Sequence, residues 1–335
     1  MAQLFESLRR NFRLDDAGEY SIEIDPRTLR AGTLELLREL GFNRLSFGVQ
    51  DFDPEVQRAV HRIQDERQTS DAIAQARRLG FGSINVDLIY GLPKQHVIGF
   101  HRTLTRIIEC APDRIALYSY AHLPTVFKPQ RRIHEADLPG AEDRVAFLAL
   151  AVRQLTAAGY LYIGMDHFAR PDNELAAAQR EGRLQRNFQG YSSHGQSDLL
   201  GFGISAIGQL ATTYSQNVKT LDEYYERLGR GVIPIARGIE LTAEDLARRA
   251  VIQSLMCHFE LPLQSFETAY SIDFEEYFCQ ELTELQPFVD AGLLRRDPQC
   301  LTVSQLGRFF IRNICMVFDR YLRERCERVR YSKAV

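Results

Sequence analysis

The chain has 335 residues, enough for an α/β barrel plus one smaller domain. A formal charge of −3 gives no bulk attraction to nucleic acid or anionic membrane, so an anionic substrate has to be held by local arginine clusters. No apolar run reaches the length of a membrane span, and MAQLFESLRRNF carries no secretory pattern; a cytoplasmic protein with neither a nucleic-acid nor a membrane partner is expected.

Leu4, Phe5, Leu8 and Phe12 recur at helical spacing, so the chain is expected to open on an amphipathic helix. YSIEID (20–25) reads as a strand ending on acids. After Pro26, residues 28–41 carry Leu29, Leu36, Leu37 and Leu40 at helical spacing and close on Gly41. RLSFGVQ (44–50) is the next strand, followed by helices over 54–60 and 70–79. SINVDLIYGLP (83–93) is a buried-strand pattern with one conspicuous acid, Asp87. A helix (99–111), a strand (113–124), a long amphipathic helix (141–158) and a last strand, YLYIGMDHFA (160–169), complete the series. This alternation predicts βα units with a parallel sheet covered by helices. Polar residues at the strand ends (Glu23, Gln50, Tyr120, His122, Asp166, His167) favour a barrel or partial barrel, whose chemistry gathers at the carboxyl ends of the strands.

Residues 160–208 then mix acids, histidines, arginines, aromatics and glycines with little regularity. GFGISA (201–206) fits G-x-G-x-x-A, but the short DLL before it is poor evidence for the strand that a dinucleotide site needs. From about Thr220 helices dominate, through a final one over 304–323. A hairpin around Asp297-Pro298 makes this end winged-helix-like, and the lack of a basic recognition stripe favours a structural or lid role over DNA binding. The expected domains are 1–218 and 219–335. The cysteines Cys110, Cys257, Cys279, Cys300, Cys315 and Cys326 are scattered without a C-x-x-C pair, as expected of free, mostly buried thiols rather than a disulfide frame or metal site.

Among candidate site residues, Asp87 is the sharpest, because a carboxylate in so apolar a strand must find donors: a ribose diol, an ammonium group or an internal arginine. Glu23 and Asp25 bind a ligand or cap the following turn. Gln50 resembles Asp87, and Arg62 reads either as a site residue or as an ordinary surface ion pair. Asp166 and His167 end an apolar strand, as a structural hydrogen bond or a catalytic pair. Arg170, Arg180, Arg183 and Arg186 suit a substrate with several carboxylates, or form a solvated helix face.

The segments EIDP, RLSFGVQDF, NVDLIYGLPKQ, YAHLPT, IGMDHFARPDNELA, RNFQGY, GISAIG and RNICMVFD, in that order, resemble the oxygen-independent coproporphyrinogen III oxidases, radical S-adenosylmethionine (SAM) enzymes of haem biosynthesis. GMDHFARP and RNFQGY discriminate within the superfamily. The resemblance implies a partial (β/α) barrel with a 4Fe-4S cluster and SAM, whose adenosyl radical takes a hydrogen from a propionate of coproporphyrinogen III. Loss of carbon dioxide and one electron then leaves a vinyl group, and two rounds give protoporphyrinogen IX. It further implies an external electron donor, and SAM contacts at Glu23, Gln50, Arg62, Asp87 and Ala121. Phe188, Gln189 and Ile207 would lie by a second SAM or the substrate, and Asp166, His167, Arg170 and Arg186 by the substrate. The family's C-x-x-x-C-x-x-C cluster loop and G-G-T-P segment are not found in the 335 residues. The chain is therefore expected to be an N-terminally truncated, monomeric member that lacks its first βα units and its cluster ligands and is inactive alone. The alternative reading is a haem or porphyrin carrier related to the radical SAM haem chaperones.

Overall fold

The computed structural model describes residues 1–195 and 197–324. Contacts divide the chain into two compact units, 1–176 and, within the described residues, 177–324. In the first, helix α1 (Ala2–Asn11) leads to strand β1 (Ser21–Ile24), helix α2 (Thr33–Glu39), strand β2 (Arg44–Gln50), helices α3 (Pro54–Ala59) and α4 (Glu66–Arg78), and strand β3 (Ser83–Tyr90). Helix α5 (Val97–Glu109), strand β4 (Arg114–Ser119), helix α6 (Ala141–Ala157) and strands β5 (Leu161–Gly164) and β6 (His167–Ala169) follow. They build one sheet in the order β1-β2-β3-β4-β6-β5, parallel from β1 to β4 as expected.

Period-two alternation decides what each face of this sheet carries. Leu45, Phe47 and Val49 of β2 and Ile84, Val86 and Leu88 of β3 are buried on one side. Among the buried residues of α5 and α6, Phe100 and Phe147 meet edge to face at 5.5 Å. Burying each such side chain is worth on the order of 1.5–3 kcal/mol. The other face of the same strands carries Ser46, Asn85 and Asp87, and there the chemistry is to be sought.

Local details differ from the sequence expectation for identifiable reasons. The helix expected over 28–41 begins only at Thr33, since Asp25 caps a 3-10 turn at Pro26–Thr28 and Gly32 takes a φ of 79°. The helix expected from residue 70 begins at Glu66, because the Asp65 carboxylate accepts from the Arg67 N–H and caps it. Residues 160–169, expected as one strand, form a hairpin: Met165 takes a φ of 47°, and β6 runs antiparallel to both β4 and β5.

In the second unit, which opens within helix α7 (Glu174–Arg180), strands β7 (Gln185–Asn187) and β8 (Gly190–Ser192) form a hairpin. Strands β9 (Ile207–Leu210) and β10 (Thr213–Asn217), helix α8 (Leu221–Gly229) and strand β11 (Ile235–Glu240) follow, giving a sheet in the order β11-β10-β9. Strand β11 lies in a region where helices were expected to dominate and no strand was expected. Its pairing with β10, across residue 218, groups residues 177–218 with the chain that follows them. Residues 201–206 are an irregular connection into β9.

Helix α9 (Ala243–His258) starts at a capping box of Thr242 and Asp245. Strand β12 (Glu260–Pro262), helices α10 (Leu263–Tyr270), α11 (Phe274–Tyr277) and α12 (Cys279–Asp290), and strands β13 (Leu294–Arg296) and β14 (Cys300–Val303) complete the helical module with its wing. The expected hairpin is β13–β14, with Asp297 accepting from the N–H groups of Gln299 and Cys300. The single helix expected over 304–323 is broken into a 3-10 turn, helix α13 (Ile311–Met316) and helix α14 (Arg320–Glu324), because Asp319 accepts from the N–H groups of Tyr321 and Leu322 and starts a new turn. Phe274, Phe278 and Phe318 are fully buried at the centre of the module.

The described cysteines are all free: Cys257 and Cys315 are buried, Cys110 and Cys300 part-buried and Cys279 exposed, while Cys326 lies outside the described residues. Among the described residues, no helix is long and apolar enough to cross a membrane.

Candidate active site

Parallel pairing places side chains of the polar face in rows across the first sheet. One row runs Glu23, Ser46, Asn85, Arg114; the next runs Gly48, Asp87, Ala116, His167. Asp87 stands in a closed hydrogen-bonded triangle. Its two carboxylate oxygens accept from the Ser46 hydroxyl and the Asn85 amide, each at 2.8 Å, and the same amide donates to Ser46 Oγ at 2.8 Å. Asp87 is only 8% exposed. Burial pushes its carboxyl up to about 6, with the Ser46 and Asn85 bonds opposing and the Glu23 charge adding to the rise. Glu23 itself is exposed on edge strand β1.

Beside this row, a second cluster forms where β2 ends. A bulge between Gly48 and Gln50 turns the chain, and Gln50 sits at a φ of 68°. Arg62, in the connection between α3 and α4, reaches back to the sheet. Its Nη2 donates to the Gly48 carbonyl at 2.6 Å and its Nη1 to Asp25 at 3.1 Å. Asp25 also accepts from Arg27, at 2.6 Å from Nη2, and that bond is the largest cause of a carboxyl held down at about 2. Burial lowers the pKa of the Arg62 guanidinium while the Asp25 charge raises it. Arg62 is therefore no ordinary surface ion pair.

Two atoms in this cluster lack a partner: Gln50 Oε1, an acceptor, and Arg62 Nε, a donor, are both buried without a hydrogen bond. Such orphans cost about 1–3 kcal/mol each. A ligand offering an acceptor such as a carboxylate and a donor such as an ammonium group would satisfy both. No side chain at position 48 intrudes: a Cβ on Gly48 would stand 3.1 Å from Gln50 Nε2 and 3.2 Å from Arg62 Nη2. Ala121 follows β4, its carbonyl accepting from the Gln130 amide at 3.0 Å. The donor set thus fits the amino-acid end and the hydroxyls of SAM. A cluster is different: among the described residues no three of His, Cys, Asp and Glu gather to hold a metal ion, and burial raises the Cys257 thiol to about 12, far from a thiolate ligand at neutral pH.

The remaining expected residues are dispersed. His167 shares Asp87's row, its ring edge-on to Tyr118 at a centroid distance of 6.2 Å. Asp166 lies in the β5–β6 turn, its carbonyl accepting from the Leu117 N–H at 2.6 Å. Arg170 lies elsewhere. Because β6 is antiparallel to β4, Arg170 falls at the amino ends of the parallel strands, its N–H donating to the Asp113 carbonyl at 3.0 Å and its side chain 3.5 Å from Asp172. In the second unit, Phe188 and Gln189 form the two-residue tip of the β7–β8 hairpin, Phe188 meets Tyr214 edge-on at 5.2 Å, and Ile207 starts β9. Arg186 lies on β7, its guanidinium 4.9 Å from the Tyr191 ring centroid.

The model of the Radical SAM superfamily matches residues 2–107, and that of the HemN C-terminal domain matches 241–310. The oxygen-independent coproporphyrinogen III oxidase of Pseudomonas aeruginosa is 49% identical over 337 residues, a match covering 100% of this chain and 73% of that protein. Its counterpart in Escherichia coli is 47% identical over 335 residues, with the same coverage. The chain belongs to the oxygen-independent coproporphyrinogen III oxidases.

The solved structure of the Escherichia coli coproporphyrinogen III oxidase, described there as a radical SAM enzyme, superposes with a TM-score of 0.93 at 48% identity, covering 96% of this chain and 74% of that one. Membership makes this a radical SAM enzyme of haem biosynthesis, with SAM and a 4Fe-4S cluster as the cofactors of its family. Within the family fold, the sequence reading missed Ser46, Asn85 and Gly48. A signal for Asn85 was present: it stands two residues before Asp87 on a strand, hence on the same face. Ser46 and Gly48 become visible only once β2 is paired with β3.

Proposed function

We propose that this chain serves the oxidative decarboxylation of two propionates of coproporphyrinogen III to the vinyl groups of protoporphyrinogen IX, in the cytoplasm, as a monomer with an external electron donor. SAM, when bound and cleaved by one electron delivered through a 4Fe-4S cluster, would supply the hydrogen-abstracting chemistry; the C-x-x-x-C-x-x-C loop that would hold that cluster is not in the 335 residues. Arg62 would take its carboxylate, Gln50 and Glu23 its ammonium group, and Asp87 its ribose hydroxyls, with Ala121 contributing main-chain polar groups. Ser46 and Asn85 hold the Asp87 carboxylate in place, and Asp25 does the same for Arg62. Phe188, Gln189 and Ile207 are the candidates for a second SAM or the substrate. His167, Asp166, Arg170 and Arg186 are those for substrate carboxylates, with Arg170 the least favoured by its position. Functionally, residues 1–218 supply the barrel with its substrate segment and 219–335 the helical module.

The pair of buried, unpartnered atoms, Gln50 Oε1 and Arg62 Nε, carries this reading. Equilibrium dialysis with labelled SAM tests it. Wild type is expected to bind, and Asp87→Ala and Arg62→Met to weaken binding about tenfold or more, since each removes a buried charged partner. Unchanged affinity in both variants would remove these residues from the site.

A further inference from the structure

A cavity of about 70 Å³ lies wholly within the second unit, among β7, β9, β10 and α9. Its lining includes Gln185, Arg186, Asn187, Gln209, Tyr214 and Arg249, and no acidic residue among the described ones. Two guanidinium groups therefore share one small space without a carboxylate to balance them, flanked by amides and a phenol. Arg186 is held from both sides of its backbone by Gln253, whose Oε1 accepts from the Arg186 N–H at 3.0 Å and whose amide donates to the Arg186 carbonyl at 2.5 Å. Its guanidinium lies against Tyr191, and Nη1 is buried without a hydrogen-bond partner. Arg249 donates to the Tyr214 hydroxyl at 3.3 Å.

We infer that this cavity is an oxyanion subsite that takes one carboxylate of the substrate, with Arg186 and Arg249 as its two cationic contacts. This rests on the proposed function for the identity of the substrate. The size argues for a side-chain carboxylate: the space exceeds the roughly 30 Å³ share of one liquid water but holds no tetrapyrrole ring, so only a side-chain end enters. The chemistry argues likewise. A buried guanidinium nitrogen without an acceptor is costly, and a carboxylate between two such groups forms charge-assisted bonds that satisfy it. Arg186 and Arg249 would fix which propionate is presented for reaction, as specificity-determining contacts rather than catalytic ones.

The test uses coproporphyrin III, the stable oxidised relative of the substrate, its tetramethyl ester, sodium propionate and inorganic phosphate. In absorbance titrations, Arg249→Gln is expected to weaken coproporphyrin III binding about tenfold or more and to leave the ester unaffected, because the ester carries no charge to lose. Arg249→Lys, which keeps the charge but not the fork, should fall between them and serves if the glutamine variant fails to fold. Equal coproporphyrin III affinity in wild type and folded Arg249 variants would overturn the subsite. Failure of wild type to bind coproporphyrin III would instead count against the proposed function, and propionate then decides the subsite. Propionate raising the melting temperature of wild type but not of the Arg249 variant supports it. No effect of propionate, or a stronger effect of phosphate than of propionate, overturns it.

Discussion

Asp87 shows at a single residue how a carboxylate proposed to bind a ligand would cost stability. Its carboxyl stands at about 6 in the fold against 3.8 in the unfolded chain, chiefly through burial. A carboxyl raised in this way favours the native state fully only below about pH 4, and that contribution is lost as pH rises through about 6. Near pH 8 the loss amounts to roughly 3 kcal/mol. Asp87→Asn removes the ionisation but keeps only one of the two acceptor oxygens, so either the Asn85 amide or the Ser46 hydroxyl loses its acceptor, at a cost of about 1 kcal/mol. We expect the variant to melt higher than wild type at pH 8, with the advantage shrinking as pH falls from 8 to 5. A pH-independent difference in melting temperature would show that Asp87 is not a strained ionised group.

At the scale of the element, the carboxyl end of β2 concentrates the constraints. Gly48 is needed there for space: its Cα faces the Gln50 amide and the Arg62 guanidinium, while its carbonyl anchors the latter. A methyl group at 3.1–3.2 Å from two flexible polar ends pushes them aside without touching the core. Gly48→Ala is therefore expected to lower SAM affinity several-fold while shifting stability by less than about 1 kcal/mol. Dialysis and thermal melts on the same preparation check this, and a large loss of stability with intact affinity would contradict it. The β5–β6 hairpin acts in the opposite sense. By reversing the chain at Met165 it brings His167 into Asp87's row and sends Arg170 away from the carboxyl ends of the strands.

For the whole molecule, ligand binding and stability are linked, because SAM would satisfy polar atoms that the free protein leaves buried and unpaired. At a SAM concentration a hundred times its Kd, the native state gains about 2.7 kcal/mol. A scan of melting temperature against SAM should show that gain for wild type and about 1.4 kcal/mol or less for Arg62→Met at the same concentration, as a tenfold or greater loss of affinity requires. A rise of equal size in the variant would place the binding elsewhere. The charge of the chain adds nothing comparable: with a net of −3, only local arginines such as Arg186 and Arg249 provide attraction for an anionic substrate.

Taken by itself, the sequence determined the alternation of strand and helix, the apolar face of each strand and the isolation of Asp87 within one of them. These follow from periodicity and burial, which are properties of neighbours along the chain. Local caps are written in the chain as well, at Asp65 and Thr242 where α4 and α9 begin, although the α4 helix was expected only from residue 70. The tertiary structure alone decided which side chains share a row, that residues 160–169 turn back on themselves, that β11 pairs across residue 218, and that Arg249 stands beside Arg186. Register, chain reversal and the meeting of distant segments depend on contacts between residues far apart in sequence, and no local pattern specifies them. For that reason Asp87 could be singled out in advance, and Asn85 on its face, whereas the Ser46 bond, which needs β2 paired with β3, could not.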